Sequence, residues 1–242
     1  MPRSRRRASL LRVGTDCSGI EAPIQALQNL RVPFRHVFSS ETDKSCIATI
    51  RANYSPDIIF GETDGPFPEG DIRKRRVESV PEVDLYVCGF PCQPFSIRGA
   101  RKGLRDLRGD VFESGCLPVI RAKKPRLFIL ENVAGLMSTN GGSDWRRLKR
   151  LLGTLCDYHL WWGILNTKDF GLPQNRPRLY IVGSRAGPLE LPPPRSERWL
   201  DLSKIVNQRA TEKDECCASH RQRLEAAASH GAIFANLGNG SA

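Results

Sequence analysis

Short apolar runs with the composition of β-strands alternate with helix-like stretches along most of this 242-residue chain. Such alternation predicts an α/β domain with a largely parallel sheet. Polar or glycine-containing segments close four of the strand-like runs: Asp16-Cys17-Ser18-Gly19, Glu41, Gly89-Phe90-Pro91-Cys92 and Glu131-Asn132. Because ligands bind outside the carboxyl ends of parallel strands, we expect these four segments to line one shared pocket.

The spacing of apolar residues predicts the individual elements. We predict strands at 10–13, 34–39, 83–88, 126–130, 161–166 and 179–182. We predict helices at 22–30, 46–53, 111–122 and 145–156, and two further short helices at 199–206 and 219–229. The stretch 56–70 is rich in glycine, proline and acidic residues and is predicted to be a loop.

The chain carries a formal net charge of +11 at pH 7, and most of the excess is arginine. Arginine makes planar contacts with phosphates and bases, so a nucleic acid is the first partner to test; a solvated basic surface is the alternative. No run approaches the ~18 apolar residues of a membrane span, and no secretory signal is visible. We therefore expect an intracellular protein without membrane association, in the nucleus of a eukaryote or the cytoplasm of a prokaryote or virus.

The eight cysteines do not form a pattern typical of disulfides or zinc. The chain is long for a disulfide scaffold, and neither Cys88/Cys92 nor Cys216/Cys217 has a histidine nearby, so no metal site is predicted. Cys92 differs from the others because it is held between Pro91 and a second proline at a strand end. Basic residues follow it closely, and positive charge favours a nucleophilic thiolate. A structural cysteine in a turn is the alternative.

The segment Gly89-Phe90-Pro91-Cys92-Gln93-Pro94-Phe95-Ser96 resembles motif IV of the cytosine-C5 methyltransferases, and further family motifs follow in order. Glu131-Asn132-Val133 resembles motif VI, Gln174-x-Arg176-x-Arg178 resembles motif VIII, and Asp71-Ile72 resembles motif III. The resemblance covers about residues 10 to 185. It implies a Rossmann-like S-adenosylmethionine-dependent methyltransferase fold, mostly parallel, with helices on both faces of the sheet.

The resemblance also implies a mechanism. The Cys92 thiolate would add to C6 of cytosine, which makes C5 nucleophilic. Glu131 would bind the base at N3 and its exocyclic amine, and Arg178 would bind O2, with Arg176 beside it or on a phosphate. The cytosine would have to leave the duplex stack to reach such a pocket.

The methyl donor implied by the resemblance is S-adenosylmethionine. Ser18, Gly19 and Ile20, with Cys17 before them, match the glycine turn of motif I. The other expected cofactor contacts are Glu41 for the ribose, Thr42, Asp71 and Ile72 around the adenine, and Gly89, Pro91 and Val111 in the pocket wall. Two positions depart from the family pattern: Thr15 replaces the usual acidic residue, and Glu21 replaces the second glycine.

We predict a basic tail at 1–9, a catalytic domain at 10–187, and a proline-rich linker with a short C-terminal segment at 188–242. That last segment lacks the usual target recognition domain and C-terminal motifs, so a separate recognition subunit is one option. The leading hypothesis is DNA cytosine-C5 methylation of a flipped base in duplex DNA. A tRNA-directed enzyme of the same family and an inactive remnant that only binds cofactor or nucleic acid are the alternatives. Phe90 and Ser96, in place of the Pro and Thr typical of the tRNA branch, favour DNA.

Overall fold

The computed structural model describes residues 10–91 and 111–190, which contain seven strands of one sheet. The strands are β1 (Leu11–Asp16), β2 (Phe34–Ser40), β3 (Ile58–Phe60), β4 (Leu85–Cys88), β5 (Leu127–Val133), β6 (His159–Asn166) and β7 (Pro177–Ser184). Their order is β3-β2-β1-β4-β5-β7-β6. The pairings among β1 to β5 are parallel, and β7 is antiparallel to β5.

Four α-helices belong to the described chain: α1 (Ala22–Asn29), α2 (Lys44–Asn53), α3 (Leu117–Lys123) and α4 (Ser143–Leu152). Strand β4 is buried along its whole length, and its side chains alternate between the two faces of the sheet. Leu85 and Val87 pack in one cluster with Ile24 of α1. Tyr86 and Cys88 belong to the second cluster, which contains the buried residues of α3 and α4. Helices therefore cover both faces, as the fold class predicted.

Several boundaries differ from the predicted ones for identifiable reasons. Helix α2 begins at Lys44, two residues early, because the Asp43 carboxylate accepts hydrogen bonds from the backbone N–H groups of Ser45 and Cys46. These bonds lower the pKa of Asp43. The predicted helix at 111–122 is divided into a π-helical segment, Phe112–Cys116, and α3, whose Pro118 has no N–H to continue the earlier pattern.

Two predictions about loops were wrong. The stretch 56–70 contains the short strand β3, which pairs with Phe38–Ser40 of β2. Glu131 and Asn132 lie inside β5 rather than after it, because β7 supplies antiparallel partners for both residues, Tyr180 and Leu179. Strand β5 therefore extends through the predicted motif.

The described chain divides into two compact units. The first contains residues 10–164, without 92–110, and Arg178–Glu190; the second contains Leu165–Pro177. The predicted basic tail, the residues following Pro91 up to 110, and the predicted helices at 199–206 and 219–229 lie outside the described residues. The predicted domain boundary after residue 187 stays a prediction.

Candidate active site

A tight turn follows β1 and holds the residues predicted to match the glycine turn. Its backbone has positive φ at Cys17, Gly19 and Glu21. Ser18 ties the turn to β2, because its N–H donates to the Ser40 carbonyl and its Oγ accepts from the Ser40 N–H at 3.0 Å. A Cβ placed at Gly19 would meet no atom of the described residues within 4 Å, so there is room beside the backbone of this turn. Ile20 is largely exposed beside it.

Glu41 lies at the carboxyl end of β2, within hydrogen-bond distance of that turn. Its Oε2 accepts from the Gly19 N–H at 2.8 Å, and its Oε1 accepts from the Thr42 N–H at 2.7 Å. A Cβ at Gly61, where φ is +105°, would lie 1.9 Å from the Glu41 carbonyl oxygen. Glycine at this position therefore lets β3 approach Glu41 closely. The predicted ribose residue is thus held from two sides, and Thr42 beside it is exposed.

Asp71 and Ile72 follow the loop after β3. The Asp71 carboxylate forms an ion pair with Arg73, with 2.6 Å between Oδ2 and the guanidinium nitrogen. Hydrogen bonds from Arg73 lower the pKa of Asp71. The Ile72 side chain is buried, and a Cβ at Gly115 would lie 2.5 Å from it. Val111 is buried immediately before the π-helical segment. The adenine contacts expected of these residues stay predictions.

Glu131 and Arg178 meet across the antiparallel pair of β5 and β7. The Arg178 Nε lies 3.0 Å from the Glu131 Oε1, and both side chains are partly exposed. Val133 is paired with Arg178 in the register, two residues beyond Glu131 on the same face of β5. A Cβ at Gly89 would lie 3.7 Å from Glu131 Oε2 and 3.9 Å from the Cys17 carbonyl oxygen. The tertiary structure therefore places Cys17 of motif I, Gly89 of motif IV, Glu131 of motif VI and Arg178 of motif VIII close together.

Asn132 has a role that the sequence analysis did not assign to it individually. Its side-chain N–H₂ donates to the Phe90 carbonyl oxygen at 3.1 Å, and its Oδ1 accepts from the Val133 N–H. Phe90 is buried and packs on Phe112, 5.7 Å between ring centroids. The buried amide thus fixes the backbone just before Pro91. Its position in the Glu131-Asn132-Val133 motif was the available signal.

Two other predicted site residues are Arg176 and Cys92. Arg176 lies in the second unit, where its backbone N–H donates to the Asn166 Oδ1 at 3.0 Å. Cys92, the predicted nucleophile, lies outside the described residues. Cys17 has an unexpected environment: it packs against the buried cluster that contains Cys88, and Cys88 Sγ lies 3.3 Å from Cys116 Sγ. Burial raises the pKa of Cys88 well above its usual value, which keeps this thiol protonated.

A buried ion pair that no sequence pattern indicated lies at the end of β1, directly before the turn. Arg75 makes two hydrogen bonds to Asp16, of 2.8 and 2.9 Å, and the Tyr86 hydroxyl donates to the same carboxylate at 2.7 Å. Burial, the largest single influence, lowers the pKa of Arg75, but the charge and the hydrogen bonds of Asp16, together with Tyr86 and Cys88, outweigh it, so the net shift is upward. The guanidinium also lies 4.5 Å from the centroid of the Phe60 ring. Asp16 is therefore a structural residue beneath the turn.

The sheet order, the antiparallel pairing of β5 with β7 and the site at the carboxyl ends of the strands define the Rossmann-like methyltransferase fold. Solved structures share it. The Dnmt2 methyltransferase of S. pombe aligns with a TM-score of 0.57 at 21% identity, covering 76% of this chain and 52% of that one. The methyltransferase EhMeth of Entamoeba histolytica aligns with a TM-score of 0.63 at 15% identity, covering 85% and 62%.

The chain belongs to the C-5 cytosine-specific DNA methylase family, and the sequence model of that family matches residues 15–231. It is 37% identical over 166 residues to the type II methyltransferase M.NlaIV of Neisseria lactamica, covering 66% of this chain and 37% of that protein. It is 36% identical over 200 residues to M1.ScrFI of Lactococcus lactis subsp. cremoris, covering 78% and 48%. The chain thus spans less than half the length of these two relatives. Among the helices that the structure describes, none is long and apolar enough to cross a bilayer.

Proposed function

We propose that this chain contains the catalytic part of a DNA cytosine-C5 methyltransferase, which transfers a methyl group from S-adenosylmethionine to C5 of cytosine in DNA. The observation that carries the proposal is the Glu131–Arg178 pair, held 3.0 Å apart beside Gly89 near the carboxyl end of β5. A carboxylate and a guanidinium side by side suit the amine and carbonyl groups of a cytosine ring. Membership of the DNA methylase family supports the same reading.

The chain's own residues have distinct roles in this proposal. Cys92 forms a bond from its sulfur to C6, and the electron pair of the C5–C6 double bond becomes available at C5. Glu131 accepts from the exocyclic amine and donates a proton to N3, which stabilises the negative charge that thiolate addition places on the ring. Arg178 holds O2. After methylation the C5 proton leaves to a base and the Cys92–C6 bond breaks with its electron pair returning to sulfur, which restores the aromatic ring and the Cys92 thiolate.

The residues at the ends of β1 and β2 fit an adenosine-containing cofactor. The open space over Gly19 admits a ligand next to the backbone, and Glu41 offers a part-exposed carboxylate suited to ribose hydroxyls. Asp71 and Ile72 provide an acceptor and an apolar surface for the adenine, and Thr42, Pro91 and Val111 complete the wall. S-adenosylmethionine, when bound, supplies the electrophilic methyl group.

Duplex DNA with a flipped cytosine is the proposed substrate, and the curated relatives are named as type II methyltransferases. The proposal includes a catalytic domain at 10–187 and leaves target recognition to a segment or subunit other than the described residues. It also includes an intracellular location, as expected for an enzyme acting on DNA. Methylation of tRNA by the same site is the second outcome that the test below distinguishes.

Mechanism-based trapping tests the function. The full chain with S-adenosylmethionine and a DNA duplex containing 5-fluorocytosine should form a covalent complex that survives denaturing electrophoresis, because fluorine at C5 cannot leave as a proton does. Cys92→Ser should abolish the complex. An adduct on a 5-fluorocytosine-containing tRNA but not on DNA would show that the substrate is tRNA and not DNA. No adduct on either nucleic acid would overturn it.

Replacing Glu41 by alanine tests the cofactor assignment. We expect Glu41→Ala to weaken S-adenosylmethionine binding about tenfold or more, because hydrogen bonds to a charged group contribute about 1.5–3 kcal/mol. DNA binding should be unchanged. Glu62→Ala is the matched control. Glu62 is an acidic residue of the loop after β3, and it forms an ion pair with Arg51. Equal calorimetric affinity of Glu41→Ala and the unsubstituted chain would contradict the ribose assignment.

A further inference from the structure

Glu21 has an environment that no catalytic role explains. The residue is fully buried, it directly precedes α1, and its backbone is left-handed, with φ 61° and ψ 43°. A non-glycine residue in that region costs free energy, and so does burial of a carboxyl group. Two costs at one position indicate that the side chain is needed there.

The Glu21 carboxyl group lies at the centre of a buried hydrogen-bond network. Its Oε1 accepts from the Thr15 hydroxyl and from the Ser39 hydroxyl, both at 2.6 Å. The His36 Nε2 lies 3.0 Å from Ser39 Oγ and 3.5 Å from Glu21 Oε1. Because the single Ser39 proton is donated to Glu21, the proton in the His36–Ser39 contact must come from Nε2. Glu21 and His36 therefore belong to one chain of hydrogen bonds in which the donor and acceptor of each bond are fixed.

This network continues directly into the proposed cofactor turn. Since Thr15 donates its proton to Glu21, its Oγ1 can accept from the Ser18 hydroxyl, 2.8 Å away. Ser18 Oγ in turn accepts from the Ser40 N–H, and the next residue, Gly19, directs its N–H at Glu41. A hydrogen-bonded path therefore leads from Glu21 through Thr15 and Ser18 to the backbone of this turn.

Two polar atoms of the network have no hydrogen-bond partner in the described part of the chain: Glu21 Oε2 and His36 Nδ1. A purely structural core would be more stable with these atoms removed or satisfied. The network is therefore better explained by what it positions than by what it contributes to stability.

We propose that Glu21, with His36 as its buried partner, is a positioning residue that sets the Ser18-Gly19 turn and thereby the affinity for the cofactor. The naming of S-adenosylmethionine as that cofactor rests on the proposed function. Because Thr15 Oγ1 and Glu21 Oε1 are 2.6 Å apart, a carboxylate carried by residue 15 could occupy nearly the same space as that of residue 21.

The test compares Glu21→Gly, Thr15→Asp and the double variant by calorimetric S-adenosylmethionine affinity and by thermal unfolding of the full chain. Glycine relieves the left-handed backbone, so Glu21→Gly should fold, yet its affinity should fall about tenfold. Thr15→Asp brings two carboxyl groups together and should lower the unfolding temperature. The double variant restores a single carboxylate and should recover affinity to within about threefold of the unsubstituted chain.

Arg31→Gly is the matched control, because Arg31 is also left-handed, with φ 54°, but is exposed beyond α1. The affinity of Arg31→Gly for S-adenosylmethionine should equal that of the unsubstituted chain. Unchanged affinity of Glu21→Gly, or a double variant no better than either single one, would overturn the proposal. If the unsubstituted chain binds no S-adenosylmethionine, the proposed function fails instead. In that case the unfolding temperatures of the three variants test the coupling of residues 15 and 21 separately. Non-additive changes in unfolding temperature would support the coupling, and additive changes would overturn the coupling.

Discussion

Glu131→Gln should lower the methylation rate constant about 10²–10⁴-fold, the range expected when a positioned proton-transfer or charge-stabilising group is lost. Glutamine keeps the shape of the side chain and one acceptor oxygen. It cannot donate a carboxyl proton to N3 when thiolate addition places negative charge on the cytosine ring, and it lacks the charge that pairs with Arg178. The measurement is single-turnover transfer of a labelled methyl group to duplex DNA.

S-adenosylmethionine affinity should stay within about twofold in this variant, because the Glu131 carboxylate lies on β5 and is not part of the turn that Glu41 holds. Glu113→Gln is the control, since Glu113 forms an ion pair with Arg147 and is not among the residues proposed to bind the base. A Glu131→Gln rate within about threefold of the unsubstituted chain would remove Glu131 from the chemistry, whatever the trapping result.

Arg75→Met should reduce the free energy of unfolding by about 3–5 kcal/mol, because it leaves the Asp16 carboxylate buried without its counter-charge. Methionine can keep much of the packing against the Phe60 ring, so the loss reports mainly on charge. In a domain of this size each kcal/mol lowers the unfolding temperature by about 2–4 °C, so a fall of at least about 6 °C is expected. Calorimetry or circular dichroism measures it.

Two further variants make this test sharp. Arg12→Met removes the partner of Asp84 from a far more exposed ion pair and should cost about 1 kcal/mol or less. The double variant Asp16→Asn, Arg75→Met should be more stable than Arg75→Met alone, because the buried charge is removed with its partner. Equal losses in Arg75→Met and Arg12→Met would show that the buried pair contributes no more than a surface one.

Much of the architecture could be predicted from the chain because its pattern is local. The run Leu85–Cys88 is apolar without interruption, which is typical of a strand buried on both faces, and it proved to be a central strand. Strand β3 was missed because its three residues, Ile58–Phe60, are too few to show a periodicity. Its formation depends on pairing with β2, which is 18 or more residues away in sequence and is decided by tertiary contact.

The candidate site shows the same division between local and tertiary information. Residue types and spacings alone predicted Glu131, Arg178, Glu41 and Gly19, since each belongs to a short motif. They could not predict that Asn132 would hold the Phe90 carbonyl, or that Asp16 would be neutralised by Arg75 rather than face a ligand. Those partners are 42 and 59 residues away along the chain, and only folding brings them together.

The sequence by itself therefore determined the class of fold, the family and the chemical types present at the carboxyl ends of the strands. Only the tertiary structure decided which polar groups face a ligand and which satisfy one another inside. Glu21 and Thr15 looked like departures from a motif, and folding placed them 2.6 Å apart in one buried network. The physical reason is that a hydrogen bond or ion pair depends on distance in space, whereas a motif records only distance along the chain.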